Sequence, residues 1–174
     1  GGLPGDVQRF EDGDAGGEAP LKTILVPLDG SALAEKVVPI ATELASRLTL
    51  EIVLVRVLTR VYFGPPDTIL PLFSQYVPNP KELWAEARSE VDEYLASKVE
   101  ELHAPGLPHV SSLLLESSAG GAAAEIIDLA KRTPANLVAM STHGRSGVGR
   151  WVLGSVTERV VRYSQDPVLV LRPQ

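Results

Sequence analysis

Five short apolar segments alternate with stretches of helical periodicity, and this alternation restricts the possible fold more than any other feature of the chain. The segments cover residues 21–29, 50–58, 109–117, 135–141 and 166–173. None of them alternates regularly between apolar and polar residues, as expected for strands that are covered on both faces. Alternating strands and helices are typical of a mostly parallel sheet between helical layers. The sequence therefore predicts an α/β fold.

The segments between the strands carry apolar residues at helical spacing. Ser31 is predicted to cap the first helix, whose inward face would hold Ala34, Val37, Val38, Ala41, Leu44, Ala45 and Leu48. Pro39 lies inside this periodic stretch, so we expect it to kink the helix. Further helices are predicted over residues 81–102, through Ile126, and between the fourth and last strands, where Tyr163 is expected to face inward.

Two segments do not fit the alternating pattern. Residues 1–20 contain six glycines and little apolar content, so they are interpreted as an acidic, glycine-rich arm that is disordered on its own. The main domain would then span residues 21–174. Residues 59–80 carry five prolines and several large apolar side chains. A loop of this length predicts either a functional lid or a surface that binds a partner.

The composition argues against several functional classes. The formal charge is −6, and residues 1–20 supply −4 of it, with five acidic residues against Arg9. Broad nucleic-acid binding is not expected, because it requires clustered Lys and Arg. No apolar run approaches the roughly 20 residues that cross a bilayer, and the acidic N-terminus does not resemble a signal peptide. The absence of cysteine suits a reducing compartment, so a cytoplasmic location is predicted.

The fourth strand runs into a glycine-rich stretch, STHGRSGVGRWVLGS, over residues 141–155. Where such a loop joins a strand to a helix, free N–H groups and the positive end of the helix dipole can bind an anion. Glycines let phosphate oxygens approach the backbone. Arg145 would add positive charge and Ser155 a hydroxyl donor. The alternative is a tight turn that only favours entry into the helix.

Asp29 follows the first strand, and Ser141 ends the fourth. Ligands of parallel sheets bind beyond the carboxyl ends of the strands, near the switch in strand order. If these two strands are neighbours, both loops open into one crevice. Asp29 could then hydrogen-bond a ribose hydroxyl or a base, or help to hold a metal, or it could merely cap the next helix. His143 lacks a companion nucleophile or orienting group, so no catalytic residue is predicted.

Three stretches resemble the universal stress protein family: ILVPLDGS (24–31), STHGRSGVGRWVLGSVTERVV (141–161) and DPVLVLRP (166–173). The resemblance extends over residues 21–173. It implies a five-stranded parallel sheet with strand order 3-2-1-4-5, Rossmann-like, with helices on both faces. Members of the family that bind ATP carry Gly-x-x-Gly, then nine residues, then Gly-Ser or Gly-Thr.

Matched to that pattern, the resemblance assigns nucleotide contacts to Pro27, Asp29, Val57, Gly144, Gly154 and Ser155. Ser141 stands where the pattern has its first glycine. A left-handed backbone at this position would cost a serine about 1–2 kcal/mol, whereas an extended backbone would cost little. Ser141 keeps the backbone N–H and adds a small donor.

The resemblance implies a stress-response protein that binds ATP, or ADP or AMP, with little or no turnover. Mg²⁺ or Mn²⁺ would bridge the phosphates. It also implies a homodimer through the last strand, residues 166–172, because an apolar edge strand needs covering. Two alternatives stay open at this point. One is a nucleotide-free dimer that works through residues 59–80 and the arm, and the other is a slow ATPase.

Overall fold

The computed structural model describes residues 20–59, 79–103, 107, 109–117, 120–134, 136–142 and 153–172. In chain order the elements are β1 (Thr23–Pro27), α1 (Ala32–Glu35), α2 (Val38–Leu48), β2 (Glu51–Thr59), α3 (Pro80–Leu102), β3 (His109–Ser117), α4 (Gly121–Arg132), β4 (Asn136–Ser141), α5 (Ser155–Tyr163) and β5 (Val168–Leu171). Residues 1–19 of the predicted arm and residues 60–78 of the predicted loop lie outside the described residues.

The five strands form one parallel sheet in the order β3-β2-β1-β4-β5. This confirms the predicted fold class and strand order. Each predicted strand is present, and β3 has the predicted bounds. Because β1 pairs with both β2 and β4, the chain changes direction across the sheet beside β1.

Alternate residues of each strand enter two separate cores. On one face Ile24, Val26 and Leu54 pack with α1, α2 and α3, and on the other Leu25 and Val138 pack with α4 and α5. Full burial of each such side chain contributes about 1.5–3 kcal/mol. The continuous apolar runs therefore have the origin that was predicted, a sheet covered on both faces.

The first helical stretch is two helices rather than one kinked helix. Pro39 is the second residue of α2, a position at which its missing N–H has no intrahelical partner to lose. The predicted kink is therefore wrong: the proline begins a new helix. Leu48, predicted to face inward, is 57% exposed at the end of α2. Thr49 follows it in a left-handed conformation that ends the helix.

The long helix α3 packs on β2 and β3. The short helix α5 buries Thr157 and Val160. Tyr163, its last residue, is 61% exposed, so the prediction that it faces inward is wrong. Within the described part of the chain, no helix combines the length and the apolar character needed to span a bilayer.

Candidate functional site

A cavity of about 280 Å³ opens at the carboxyl edge of the sheet, where the strand order changes direction. Six of the predicted site residues line it: Pro27, Asp29, Val57, Ser141, Gly154 and Ser155. They come from the ends of β1, β2 and β4 and from the start of α5. Asp29, just after β1, and Ser141, at the end of β4, thus line the same cavity. Gly144, Arg145 and His143 lie outside the described residues.

The cavity has apolar walls with polar groups among them. Val55 and Val57 of β2, Ile126 of α4 and Met140 of β4 supply much of the apolar lining. The polar lining includes Asp29, Ser31, Ser141, Ser155 and Thr157. A concave, mostly apolar surface with a few polar groups is the usual character of a site for a small organic ligand.

The turn after β1 is fixed by two hydrogen bonds. The Ser31 N–H donates to Asp29 Oδ1 at 2.8 Å, and Ser31 Oγ accepts the Ala34 N–H at 3.1 Å. Ser31 is therefore the N-cap of α1, as predicted. Asp29 is not that cap, and its carboxyl group lies at the cavity.

The Asp29 carboxyl is an acceptor at neutral pH. Partial burial raises its pKa, but the hydrogen bonds from Ser31 and the positive charge of Arg56 outweigh burial and lower the pKa below its ordinary value. An ionised carboxylate at the cavity can accept hydrogen bonds from ligand hydroxyl or amino groups. It also repels anionic ligand groups from this end of the site.

The sequence analysis did not assign a role to Gly30 or Arg56, which lie near Asp29. Gly30 has φ of 84°, and a Cβ atom on it would collide with the Arg56 guanidinium. The Arg56 Cζ atom lies 5.1 Å from the centre of the Tyr94 ring. A signal was present in the sequence, since Arg56 is the one charged residue inside the apolar run of residues 52–58.

Ser141 is the last residue of β4, and its backbone is extended. Among the described non-glycine residues, positive φ occurs at Thr49 and Asn79. Serine is therefore accommodated at the first motif position without left-handed strain. In the described part of the chain, its buried Oγ has no hydrogen-bond partner. Within that described part, the Ser141 hydroxyl is an unused donor beside the cavity.

The start of α5 forms another part of the cavity lining. Gly154 is the N-cap and Ser155 the first helical residue. The Gly154 N–H donates to Thr142 Oγ1 at 3.3 Å, and Thr157 Oγ1 donates to the Ser141 carbonyl at 3.4 Å. These two buried threonines, which the sequence analysis missed, tie the helix to the end of β4.

The N–H groups in the first turn of α5 have no acceptor within the helix, which makes this part of the cavity favourable for an anion. Asp29 lines the same cavity from the turn after β1, so the lining combines a carboxylate with the partial positive charge of a helix N-terminus. In the described ranges, no group of three or more His, Cys, Asp or Glu residues could hold a metal ion. A phosphorylated ligand with hydroxyl or amino donors fits this charge distribution.

Comparison with known proteins gives one consistent result. The sequence model of the Universal stress protein family matches residues 20–172, from just before β1 to just after β5. Universal stress protein MJ0531 of Methanocaldococcus jannaschii is 30% identical over 156 residues, which are 90% of this chain and 85% of that protein.

Two solved structures have the same fold. Universal stress protein UspA from Lactobacillus plantarum gives a TM-score of 0.68 at 22% identity, covering 88% of this chain and 99% of that one. The universal stress protein from Archaeoglobus fulgidus in complex with dAMP gives a TM-score of 0.56 at 20% identity, covering 86% and 96% of the two chains.

Proposed function

Because the chain belongs to the universal stress protein family, we propose that it binds an adenine nucleotide in the cavity described above. The ligand is ATP, ADP or AMP, and the protein acts in the stress response with little or no turnover. The observation that carries the proposal is that six separately predicted contact residues, from three strands and a helix, line one cavity. The relative solved with dAMP binds a ligand of the same class.

The charges of the site favour one orientation of the nucleotide in the cavity. Val55 and Val57 offer apolar surface to the base. Asp29 accepts hydrogen bonds from ribose hydroxyls or from the base, and it repels phosphate. The phosphates therefore point to Gly154 and Ser155 at the start of α5. In this proposal Gly144 and Arg145 add backbone N–H groups and positive charge there, and Ser141 adds a hydroxyl donor.

We propose that the bound nucleotide is turned over slowly or not at all. Among the described residues that line the cavity, Asp29 is the one titratable side chain, and its lowered pKa makes it a weak general base. If Mg²⁺ or Mn²⁺ accompanies ATP, the phosphate oxygens would be its main ligands. The cysteine-free chain is suited to the cytoplasm, which we propose as its location.

Thermal unfolding with and without millimolar ATP tests the proposal. A ligand present at 100 times its Kd stabilises the fold by about 2.7 kcal/mol, so the melting temperature of the wild type should rise. Asp29→Ala should abolish most of the shift, because it removes the acceptor at the cavity. Asp128→Ala is the matched control, since Asp128 lies exposed on α4, and it should respond as the wild type does.

The contradicting outcome is a melting curve of the wild type that does not change with ATP, ADP or AMP. That result would favour a nucleotide-free interaction protein instead. A mass spectrum of small molecules released from the purified, denatured protein gives an independent answer, because a bound adenine nucleotide would be detected directly.

We also propose that two copies pair through β5. This strand lies at the edge of the sheet, and its four residues are all half-buried in the single chain. Pairing with a second copy would satisfy its outer backbone groups and cover its apolar side chains.

A further inference from the structure

Arg56 occupies an unusual place for a charged side chain. Its neighbours in β2, Val55 and Val57, line the cavity, so strand alternation directs Arg56 to the opposite face of the sheet. There it lies half-buried on the side covered by α3. Burying a charge without partners is costly, so groups near the guanidinium must offset this cost.

Two groups lie close to the Arg56 guanidinium. One is the ring of Tyr94, whose centre lies 5.1 Å from Cζ, within the range of a cation–π contact. The other is the backbone of Gly30, which lacks the Cβ atom that would collide with Nη1. The glycine that makes this contact possible directly follows Asp29.

Tyr94 is itself held in position. Its hydroxyl donates to Glu35 Oε1 at 2.8 Å, and Glu35 Oε2 lies 3.0 Å from the Lys98 ammonium. Lys98 also pairs with Glu101 at 2.9 Å. The ring that supports Arg56 is thus fixed between α1 and α3.

We propose that Arg56 is a positioning residue of the nucleotide site: stacked on Tyr94, its guanidinium holds the Asp29–Gly30 turn so that the Asp29 carboxylate is correctly placed before the ligand arrives. The effect on nucleotide affinity rests on the function proposed above, while the effect on Asp29 does not. Preorganised polar groups bind more tightly because less ordering is required on binding.

The charged and titratable groups around Asp29 come from three elements. Arg56 of β2 lowers the pKa of Asp29, Tyr94 of α3 contacts Arg56, and Glu35 of α1 accepts the Tyr94 hydroxyl. Ser31 adds the hydrogen bonds within the turn. Removing Arg56 leaves these other groups in place, so its own contribution to Asp29 can be measured separately.

The test compares Arg56→Met, which has a similar length and no charge, with Arg56→Lys, which keeps the charge but loses the planar group that stacks on Tyr94. Arg47→Met is the matched control, because Arg47 is exposed on α2 and pairs with Glu43 there. Carboxyl-carbon NMR of the ligand-free protein follows the titration of Asp29, and calorimetry follows the binding of ATP.

We expect Arg56→Met to shift the Asp29 titration midpoint to higher pH and to weaken ATP binding by about tenfold, equivalent to about 1.4 kcal/mol. Arg56→Lys should change the midpoint less, and Arg47→Met should change neither quantity. An unaltered midpoint in folded Arg56→Met would overturn the proposal. If that variant does not fold, Arg56→Lys decides the question. Weaker ATP binding than in the wild type would support the proposal, and unchanged binding with an unchanged midpoint would overturn it.

The two proposals fail in different ways. A wild type that binds no adenine nucleotide overturns the proposed function, yet the NMR titration still reports whether Arg56 controls Asp29. If the wild type binds ATP, and Arg56→Met binds it equally well and titrates identically, the proposed function is kept. The role proposed for Arg56 is then rejected.

Discussion

At the scale of single residues, Ser141 has a hydroxyl that is buried and, among the described residues, unpartnered. Such a group loses its hydrogen bonds to water without gaining new ones, at a cost of about 1–3 kcal/mol. Ser141→Ala removes the group and keeps the extended backbone of β4. We expect the free energy of unfolding of the ligand-free protein to rise by about 1 kcal/mol, as measured by urea denaturation.

Ser112→Ala is a suitable control for this change, because Ser112 is exposed on β3 and should alter stability by less than about 0.5 kcal/mol. A Ser141→Ala variant that is less stable than the wild type would contradict the prediction. Adding ATP extends the measurement: if Ser141 donates to the nucleotide, the variant should gain less stability from the ligand than the wild type gains.

Some site residues could be predicted from the sequence, and others could not. Asp29 was found because it lies just beyond the first strand, where ligands of a parallel sheet bind. Ser155 was found because the family resemblance has Gly-Ser at that spacing; it was expected a turn or more into the helix, whereas it is the first helical residue. Whether serine suits position 141 depended on a backbone angle, and one sequence does not contain it. Arg56 was missed because Tyr94, its stacking partner, lies on a different element and approaches only in the folded chain.

At the scale of elements, the hydrogen bond from Tyr94 to Glu35 joins α3 to α1. A hydrogen bond to a charged group contributes about 1.5–3 kcal/mol when buried, and partial exposure of both side chains reduces this to about 1 kcal/mol. We therefore expect Tyr94→Phe to lower the free energy of unfolding by about that amount at pH 7, while the phenyl ring still supports Arg56.

The effect of Tyr94→Phe should depend on pH. The hydrogen bond from Tyr94, opposed by slight burial and aided by Lys98, lowers the pKa of Glu35. A carboxyl group with a lowered folded-state pKa stabilises the fold above its unfolded pKa of about 4.3, and this contribution disappears as pH falls through the folded value. Denaturation of both proteins between pH 3 and pH 7 should show the difference shrinking towards acid.

Glu35→Gln provides the control for this link, because the amide oxygen can still accept a hydrogen bond but no longer titrates. In that background the cost of Tyr94→Phe should no longer vary between pH 3 and pH 7. A pH-independent difference in the wild-type background as well would contradict the role given to Glu35.

The elements themselves were predictable to within a few residues where periodicity was strong, as in α3 and β3. The boundary between α1 and α2 was not, since a proline has opposite meanings inside a helix and at its second residue. Which meaning applies depends on where the helix begins. Here Val37 is fully buried at the junction, and it anchors the start of α2 in the core.

At the scale of the whole molecule, β5 pairs with β4 on one side, and no strand among the described residues pairs with its other side. The carbonyls of Pro167 and Leu171 accept hydrogen bonds from the Val138 and Thr142 N–H groups of the β4 segment. Because residues of a strand alternate in direction, the N–H groups of Val168 and Val170 point away from β4. A second copy that pairs there would use these groups.

Val170→Pro tests this pairing without disturbing the β4–β5 ladder. Proline removes an N–H that points outward, and proline is tolerated on an edge strand for that reason. We expect the wild type to sediment as a dimer and Val170→Pro to sediment as a monomer, with a dissociation constant at least about tenfold higher. Val170→Thr, which keeps the N–H and the branched Cβ, should remain dimeric.

The comparison separates backbone pairing from simple apolar contact. If the copies met only through side chains, Val170→Thr would weaken the dimer more than Val170→Pro, because threonine adds a hydroxyl to the contact while proline stays apolar. A dimer that survives Val170→Pro at micromolar concentration would argue against pairing through β5. If only Val170→Pro loses the dimer, dimer formation depends on the outward N–H groups. Nucleotide binding measured on that monomer would then show whether one chain forms a complete site.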